Sequence, residues 1–155
     1  SANDLLLRRC VLDELVKQAV KEVSILFIHK KIRLVLGSLQ EEVLTDSKWL
    51  QFVISQLLTN AVKYTSSGSV FVWYEGTTLY IHDTGIGIRQ EDLPRIFEWG
   101  YTGCHGHMQS QSTGIGLNLC KRALTMLGHT IAIRSQPGCG TTVEIGLARQ
   151  ELETE

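Results

Sequence analysis

The sequence has few prolines, few aromatic residues and a net charge close to zero. It has two prolines in 155 residues, and its 15 Lys and Arg side chains are offset by 16 Asp and Glu. Nucleic-acid-binding proteins carry a basic excess, so we expect no nucleic-acid partner. Uninterrupted apolar runs extend over only a few residues, too few for a membrane span, and no signal-peptide pattern is present.

Cysteine spacing and glycine placement add to this outline. The four cysteines are widely separated and form no CxxC pair, which favours reduced thiols over a disulfide framework: Cys10, Cys104, Cys120 and Cys139. Glycine is concentrated, because seven of the 14 glycines lie between Gly85 and Gly116. A segment so rich in glycine must bend or approach something closely.

The order of periodic segments predicts an α+β fold. Apolar spacing predicts helices over residues 11–28, from the N-cap Asp46 to Tyr64, and from Gly116 to Gly128. β-rich runs predict strands over 5–9, 32–36, 42–44, 70–74, 79–82, 130–134 and 141–147. Most of these strands are linked as hairpins, which favours a two-layer sandwich of helices on a mixed sheet over a doubly wound parallel sheet.

A polar stripe runs beside the apolar face of the second helix. Gln56, Asn60 and Lys63 are spaced i, i+4 and i+7, and Tyr64 is adjacent. An asparagine oxygen can ligate Mg²⁺, and a lysine one turn away can pair with phosphate. A solvated helix face is the alternative interpretation of this stripe.

Asp83 ends a predicted strand on the same face as Leu79 and Ile81, which places its carboxylate at the edge of the core. A carboxylate there needs a partner, or its pKa rises. Asp83 can cap the turn that follows, or it can accept an N–H from a ligand such as an adenine amine. Gly85 and Gly87 after it favour the second role, because a flat ring can lie against glycine backbone.

A second glycine element, Thr113 to Leu117, precedes the third helix, where free backbone N–H groups form an anion site. A plain loop-to-helix entry is the alternative. Neither glycine element has the third glycine of a dinucleotide-binding fingerprint, and no GxxxxGK[ST] phosphate loop occurs. The HRD and DFG motifs of eukaryotic-type protein kinases are also missing from the sequence.

Five segments in order resemble the catalytic and ATP-binding domain of bacterial sensor histidine kinases, which have the Bergerat fold. Residues 56–65 resemble the N box of that family, 83–88 the G1 box, 95–100 the F box, 113–117 the G2 box and 140–143 the closing strand. The amino-acid sequences of three shorter segments resemble those of intramembrane-sensing kinases that respond to peptide antibiotics: residues 46–50, 97–103 and 127–129. The resemblance implies about five mostly antiparallel strands on three helices, with a mobile ATP lid over about 89–112.

The resemblance also implies roles for individual residues. Asn60 would ligate Mg²⁺, Lys63 would contact phosphate, and Asp83 would accept the adenine amine with help from Thr141. The remaining implied nucleotide contacts are Tyr64, Gly85, Gly87, Ile88, Phe97 (as a lid anchor), Thr113, Gly114, Gly116 and Leu117. Gln56 stands where hydrolytic members carry a glutamate base, and a neutral amide cannot act as one. We therefore expect ATP to be held for phosphoryl transfer rather than hydrolysed quickly.

Other readings stay open. A hydrolytic ATPase or serine-kinase relative of the same superfamily is one alternative, and a non-catalytic docking module is another. The segment between Tyr101 and Gly116 has no Lys or Arg, unlike the family pattern, so we expect modest ATP affinity. A metal site at Cys104, His105 and His107 is disfavoured, because it lacks a fourth ligand.

In such kinases the phosphoacceptor histidine lies in a helical hairpin, in a His-Glu or His-Asp context. No histidine here meets both conditions, because His29 precedes a lysine and His82, although it precedes Asp83, lies in a predicted strand. We therefore expect a lead-in over 1–10, the ATP-binding domain over 11–149 and a tail over 150–155, without self-phosphorylation. The implied partners are a histidine-bearing dimerisation hairpin and a response regulator. We expect a monomeric fragment that lies in the cytoplasm as part of a membrane-anchored kinase.

Overall fold

The computed structural model describes residues 5–98 and 115–148. Within these ranges the chain forms seven strands and three α-helices. In chain order they are β1 (Arg8–Val11), α1 (Leu12–Lys30), β2 (Arg33–Leu36), β3 (Glu42–Thr45), α2 (Ser47–Lys63), β4 (Ser69–Glu75), β5 (Thr78–Asp83), α3 (Ile115–Leu127), β6 (Thr130–Ser135) and β7 (Thr141–Gly146). A short 3-10 turn, Leu93–Arg95, lies between β5 and α3.

Five of the strands form one mixed sheet in the order β2-β4-β5-β7-β6. β2 is parallel to β4, and every other neighbouring pair is antiparallel. The register sets Asp83 of β5 opposite Thr141 of β7, and Thr141 opposite Ser135 of β6. The predicted α+β class with a mostly antiparallel five-stranded sheet is confirmed.

The helices cover one face of this sheet. Alternate strand residues such as Val70, Leu79 and Ile145 are fully buried in one apolar cluster with helix residues such as Leu12 and Leu58. Because strand residues alternate between the two faces, the pleat determines which side chains of β5 and β7 face the helices and which face away.

No helix in the described part of the chain is long and apolar enough to cross a bilayer.

β1 and β3 form a separate antiparallel ribbon. The strand predicted over residues 5–9 begins later, at Arg8, because the preceding chain is held differently. The Leu6 N–H donates to Asp46 Oδ2 at 2.9 Å, while Asp46 Oδ1 accepts the N–H groups of Lys48 and Trp49 at 3.0 and 3.2 Å. The predicted N-cap of α2 is thereby confirmed, and the same carboxylate holds the entering chain.

Candidate functional site

A pocket opens between α2, the end of β5, the loop that follows it and the β6–β7 hairpin, with α3 beside it. Most of its wall is apolar, and its polar groups are one amide, one carboxylate and two hydroxyls. The lining residues are Leu57, Asn60, Ala61, Tyr64, Ile81, Asp83, Gly87, Ile88, Leu117, Ile133, Thr141 and Val143. The structure thus brings together seven of the residues predicted for the site: Asn60, Tyr64, Asp83, Gly87, Ile88, Leu117 and Thr141.

α2 contributes one face of the helix to this pocket. Leu57, Asn60, Ala61 and Tyr64 are spaced i, i+3, i+4 and i+7, which places them in a single stripe. The stripe alternates apolar and polar groups. The Asn60 amide therefore stands at the same wall as the Tyr64 ring, with apolar side chains between and beside them.

Gln56 and Lys63 lie beside this stripe rather than in it. A Cβ placed on Gly116 would lie 3.1 Å from Gln56 Oε1, so the Gln56 amide reaches the first turn of α3. Lys63, the last residue of α2, is half-buried, and burial lowers the pKa of its ammonium group. Neither side chain lines the pocket, although both were predicted to act with Asn60.

Asp83 is the carboxylate of the pocket. It is 7% exposed, on the same buried face as Leu79 and Ile81, as the alternation of β5 predicted. Its Oδ1 accepts the Gly85 N–H at 2.9 Å, so it caps the turn that follows β5 and also faces the pocket. Burial raises the pKa of the Asp83 carboxyl, against the smaller opposing effects of the Gly85 and Thr141 N–H groups and of His82.

The loop after Asp83 is clamped between α2 and the β6–β7 turn. The Ile86 N–H donates to the Tyr64 carbonyl at 3.0 Å, and the Gly138 N–H donates to the Ile86 carbonyl at 2.7 Å. A Cβ on Gly85 would lie 2.1 Å from the Tyr64 carbonyl oxygen. Gly87 has φ +78°, and a Cβ there would lie 2.0 Å from the Gln136 carbonyl oxygen. The packing of this loop therefore requires glycine at both positions.

Phe97 is fastened to α3. Its carbonyl accepts a hydrogen bond from Asn118 Nδ2 at 2.8 Å, and Lys121 Nζ lies 4.9 Å from the centre of its ring. Phe97 does not line the pocket. Its contacts instead tie the segment that follows the glycine loop to the helix that begins beside Gln56.

Some predicted site residues fall outside the described ranges. These are Thr113, Gly114 and the residue 99–112 portion of the lid, together with the disfavoured metal ligands Cys104, His105 and His107. Conversely, Ile133 and Val143 line the pocket and were not predicted to. The alternation of strand residues in the last hairpin could have indicated them, because it places Val143 on the same face as Thr141.

This geometry is that of a known family. The family described as histidine kinase-, DNA gyrase B- and HSP90-like ATPase matches residues 45–151, more than half of the chain. The chain belongs to this family. The match includes α2, β5, the glycine loop and the final hairpin, so every element that lines the pocket lies within the family's domain.

Curated relatives from bacteria extend this finding. The chain is 38% identical to the sensor histidine kinase YxdK of Bacillus subtilis over 139 residues, which cover 85% of this chain and 43% of that protein. It is 40% identical to the sensor protein BceS of the same species over 143 residues, which cover 90% of this chain and 43% of that protein. The chain thus spans less than half the length of these relatives.

Solved structures of family members have the same fold. The structure of full-length ShkA in complex with AMPPNP matches with a TM-score of 0.80, at 22% identity over 97% of this chain and 33% of that chain. The mycobacterial sensor histidine kinase MprB matches with a TM-score of 0.77, at 21% identity over 92% of this chain and 97% of that chain. These likenesses confirm the predicted architecture of helices on a five-stranded sheet.

Proposed function

We propose that this chain is the ATP-binding catalytic domain of a two-component sensor histidine kinase. The observation that carries the proposal is a buried carboxylate, Asp83, at an apolar pocket whose wall also holds the amide of Asn60. The apolar walls suit a purine ring, and the carboxylate suits its exocyclic amine. Family membership supports the same ligand.

The residues divide by the part of the nucleotide they would contact. We assign the adenine to Asp83 and Thr141, with apolar contacts from Ile88 and neighbouring wall residues. Tyr64 and Leu117 complete the wall, and Gly116 stands at the first turn of α3, where backbone N–H groups favour anions. Thr113 and Gly114 are proposed phosphate contacts on the grounds of the sequence alone.

Mg²⁺ belongs to this proposal through the chemistry of Asn60. An amide oxygen is the hard donor that Mg²⁺ accepts, and the ion takes its other ligands from water and phosphate oxygens. Within residues 5–98 and 115–148, no three His, Cys, Asp or Glu side chains converge as a metal site. We infer that Mg²⁺ binds at Asn60 together with the nucleotide, with Lys63 near the phosphates.

Phosphoryl transfer rather than hydrolysis follows from Gln56. Its amide lies one turn before Asn60 on α2 and cannot remove a proton from water. Phosphoryl transfer to an external nucleophile needs positioning and charge stabilisation more than a base on this helix. The hydrolytic or serine-kinase alternative would need another group in that role, and a docking module would not need Asp83 buried in the pocket.

We propose the rest of the system from the resemblance and the relatives' names. The acceptor is a histidine on a separate dimerisation hairpin, and the phosphoryl group passes on to a response regulator. Residues 11–149 form the catalytic domain between a lead-in and a tail, monomeric by itself and cytoplasmic in a membrane-anchored kinase. The similarity to BceS and YxdK supports the narrower type that responds to peptide antibiotics.

The test adds a separately produced histidine-bearing hairpin of a matching kinase to this domain with Mg-ATP labelled at the γ-phosphate. We expect acid-labile, base-stable label on the hairpin, in excess of free phosphate over the same interval. A hairpin variant that lacks the histidine is the control. Rapid phosphate release with no labelled hairpin would support the hydrolytic alternative instead.

A further inference from the structure

The Ser135 hydroxyl lies at the centre of three hydrogen bonds beside the pocket. It is 2.7 Å from the Ile88 backbone nitrogen, 2.9 Å from the Gly140 carbonyl oxygen and 2.7 Å from Thr141 Oγ1. The sheet register sets Ser135, Thr141 and Asp83 side by side on three neighbouring strands. Ser135 does not line the pocket, but it contacts two residues that do.

The number of hydrogens decides the direction of each bond. A serine hydroxyl donates one hydrogen and accepts at its lone pairs. The Ile88 N–H can only donate and the Gly140 carbonyl can only accept, so the Ser135 hydrogen goes to Gly140. The 2.7 Å contact with Thr141 then requires Thr141 to donate to Ser135. The one hydrogen on Thr141 Oγ1 is thereby used, and that oxygen has only acceptor capacity left for the pocket.

We propose that Ser135 is a positioning residue that holds the Thr141 hydroxyl as a hydrogen-bond acceptor, so that the polar wall of the pocket selects a 6-amino over a 6-oxo purine. This inference rests on the proposed function. It concerns how the site distinguishes bases, whereas the proposed function concerns what the bound nucleotide is used for.

The chemistry follows from two acceptors in a row. The Asp83 carboxylate and the Thr141 oxygen both offer lone pairs, and an exocyclic amine has two hydrogens to donate. The amine can reach these two acceptors directly, or reach one of them through a bridging water. A 6-oxo group would place a third acceptor against these two. If Ser135 were absent, the Thr141 hydroxyl could rotate and donate to the oxo group, which would relieve part of that mismatch.

The test compares dissociation constants for Mg-ATP and Mg-ITP, whose bases differ between a 6-amino and a 6-oxo group. In Ser135→Ala we expect ATP binding to weaken by about tenfold, because one oriented hydrogen bond is lost. We expect ITP binding to weaken less, so that the ITP-to-ATP ratio of dissociation constants falls by about threefold or more. Ser135→Thr keeps the hydroxyl and should restore the wild-type ratio.

Two further variants make the result specific. Ser24→Ala removes a hydroxyl that bonds within α1 to the Lys21 carbonyl, and it should leave both constants unchanged. Thr141→Val removes the proposed acceptor, so in that background Ser135→Ala should not change the ratio further. Should Ser135→Ala not fold, Ser135→Cys fills the position with a slightly larger group that forms weaker hydrogen bonds, and the same fall in the ratio is expected.

An equal loss of ATP and ITP binding in Ser135→Ala would overturn the inference, because it would show a structural role only. Unchanged binding of both nucleotides in a folded variant would overturn it too, while leaving the proposed function intact. If the wild-type chain bound neither nucleotide, the proposed function itself would fail.

Discussion

The substitution Asp83→Asn should weaken nucleotide binding without destabilising the fold. Asp83 Oδ1 is committed to the Gly85 N–H at 2.9 Å. The introduced amide can satisfy that bond only with its oxygen, so its NH₂ group must face the pocket and oppose the adenine amine. Loss of a charge-assisted hydrogen bond and a mispaired donor together cost roughly 2–4 kcal/mol of binding free energy. The dissociation constant for Mg-ATP should therefore rise by roughly 30- to 1000-fold.

The same substitution should stabilise the unliganded domain. Burial raises the pKa of the Asp83 carboxyl above that of the unfolded chain. A raised pKa means that the folded state is favoured when this group is protonated and loses that advantage as the pH rises through the raised value. At pH 7 the wild type therefore carries the cost of a buried charge, and the amide removes it. As the pH falls into the ordinary carboxyl range, the difference in stability between the two proteins should shrink.

The assay is urea unfolding at pH 7 and at pH 3.5, together with fluorescent ATP-analogue titration. Asp13→Asn is the matched control, since Asp13 pairs with Lys17 on the surface of α1, away from the pocket. The control should bind the analogue as the wild type does. The reasoning would be refuted by unchanged analogue affinity in Asp83→Asn. A large loss of stability at pH 7 would refute it too, because misfolding would then explain the loss of binding.

Four further predictions follow from the site. Gly85→Ala should lower the free energy of unfolding by about 3 kcal/mol, because the new Cβ would meet the Tyr64 carbonyl. Gly76→Ala has open space around it and should lower the free energy of unfolding by only about 1 kcal/mol. Urea unfolding measures both losses, and equal losses would contradict the packing argument. Gln56→Glu should raise basal phosphate release by about tenfold or more, and unchanged release with retained ATP binding would contradict the role assigned to its amide. Lys121→Met should increase amide hydrogen exchange at Phe97 by about two- to fivefold, and no increase would show that the ring contact at 4.9 Å contributes nothing. Cys120, buried with its pKa raised to about 12, should resist iodoacetamide at pH 8 while the exposed Cys139 reacts, and fast labelling of Cys120 by mass spectrometry would contradict the packing of α3.

Features that depend on the local chain were predictable from the sequence. The alternation of β5 placed Asp83 on the core face, because a strand has a fixed period of two. The Asp46 cap of α2 was predictable for the same kind of reason, since its partners are the next residues along the chain. The glycine elements indicated the family together with the other motifs, because their order along the chain can be read directly from the sequence.

Features that depend on tertiary packing were not predictable in the same way. Helical periodicity grouped Gln56, Asn60 and Lys63, but the rotation of α2 against the sheet turns the stripe of Leu57 and Asn60 to the pocket instead. The Ser135 hydroxyl meets the Ile88 nitrogen across 47 residues of sequence, a contact that no local pattern encodes. The side chains that line the pocket could thus be predicted in part, whereas the long-range contacts that hold them could not.

The central claim is that this pocket binds adenine nucleotides, and calorimetry combined with amide chemical-shift mapping tests it most directly. Titration of the wild-type domain with Mg-ATP should saturate at one nucleotide per chain. The largest shifts should fall at Asn60, Asp83, Gly87 and Thr141, and Mg-GTP should cause neither the heat nor the shifts. Absence of saturable ATP binding, or ATP-induced shifts confined to the sheet face away from the helices, would contradict the account.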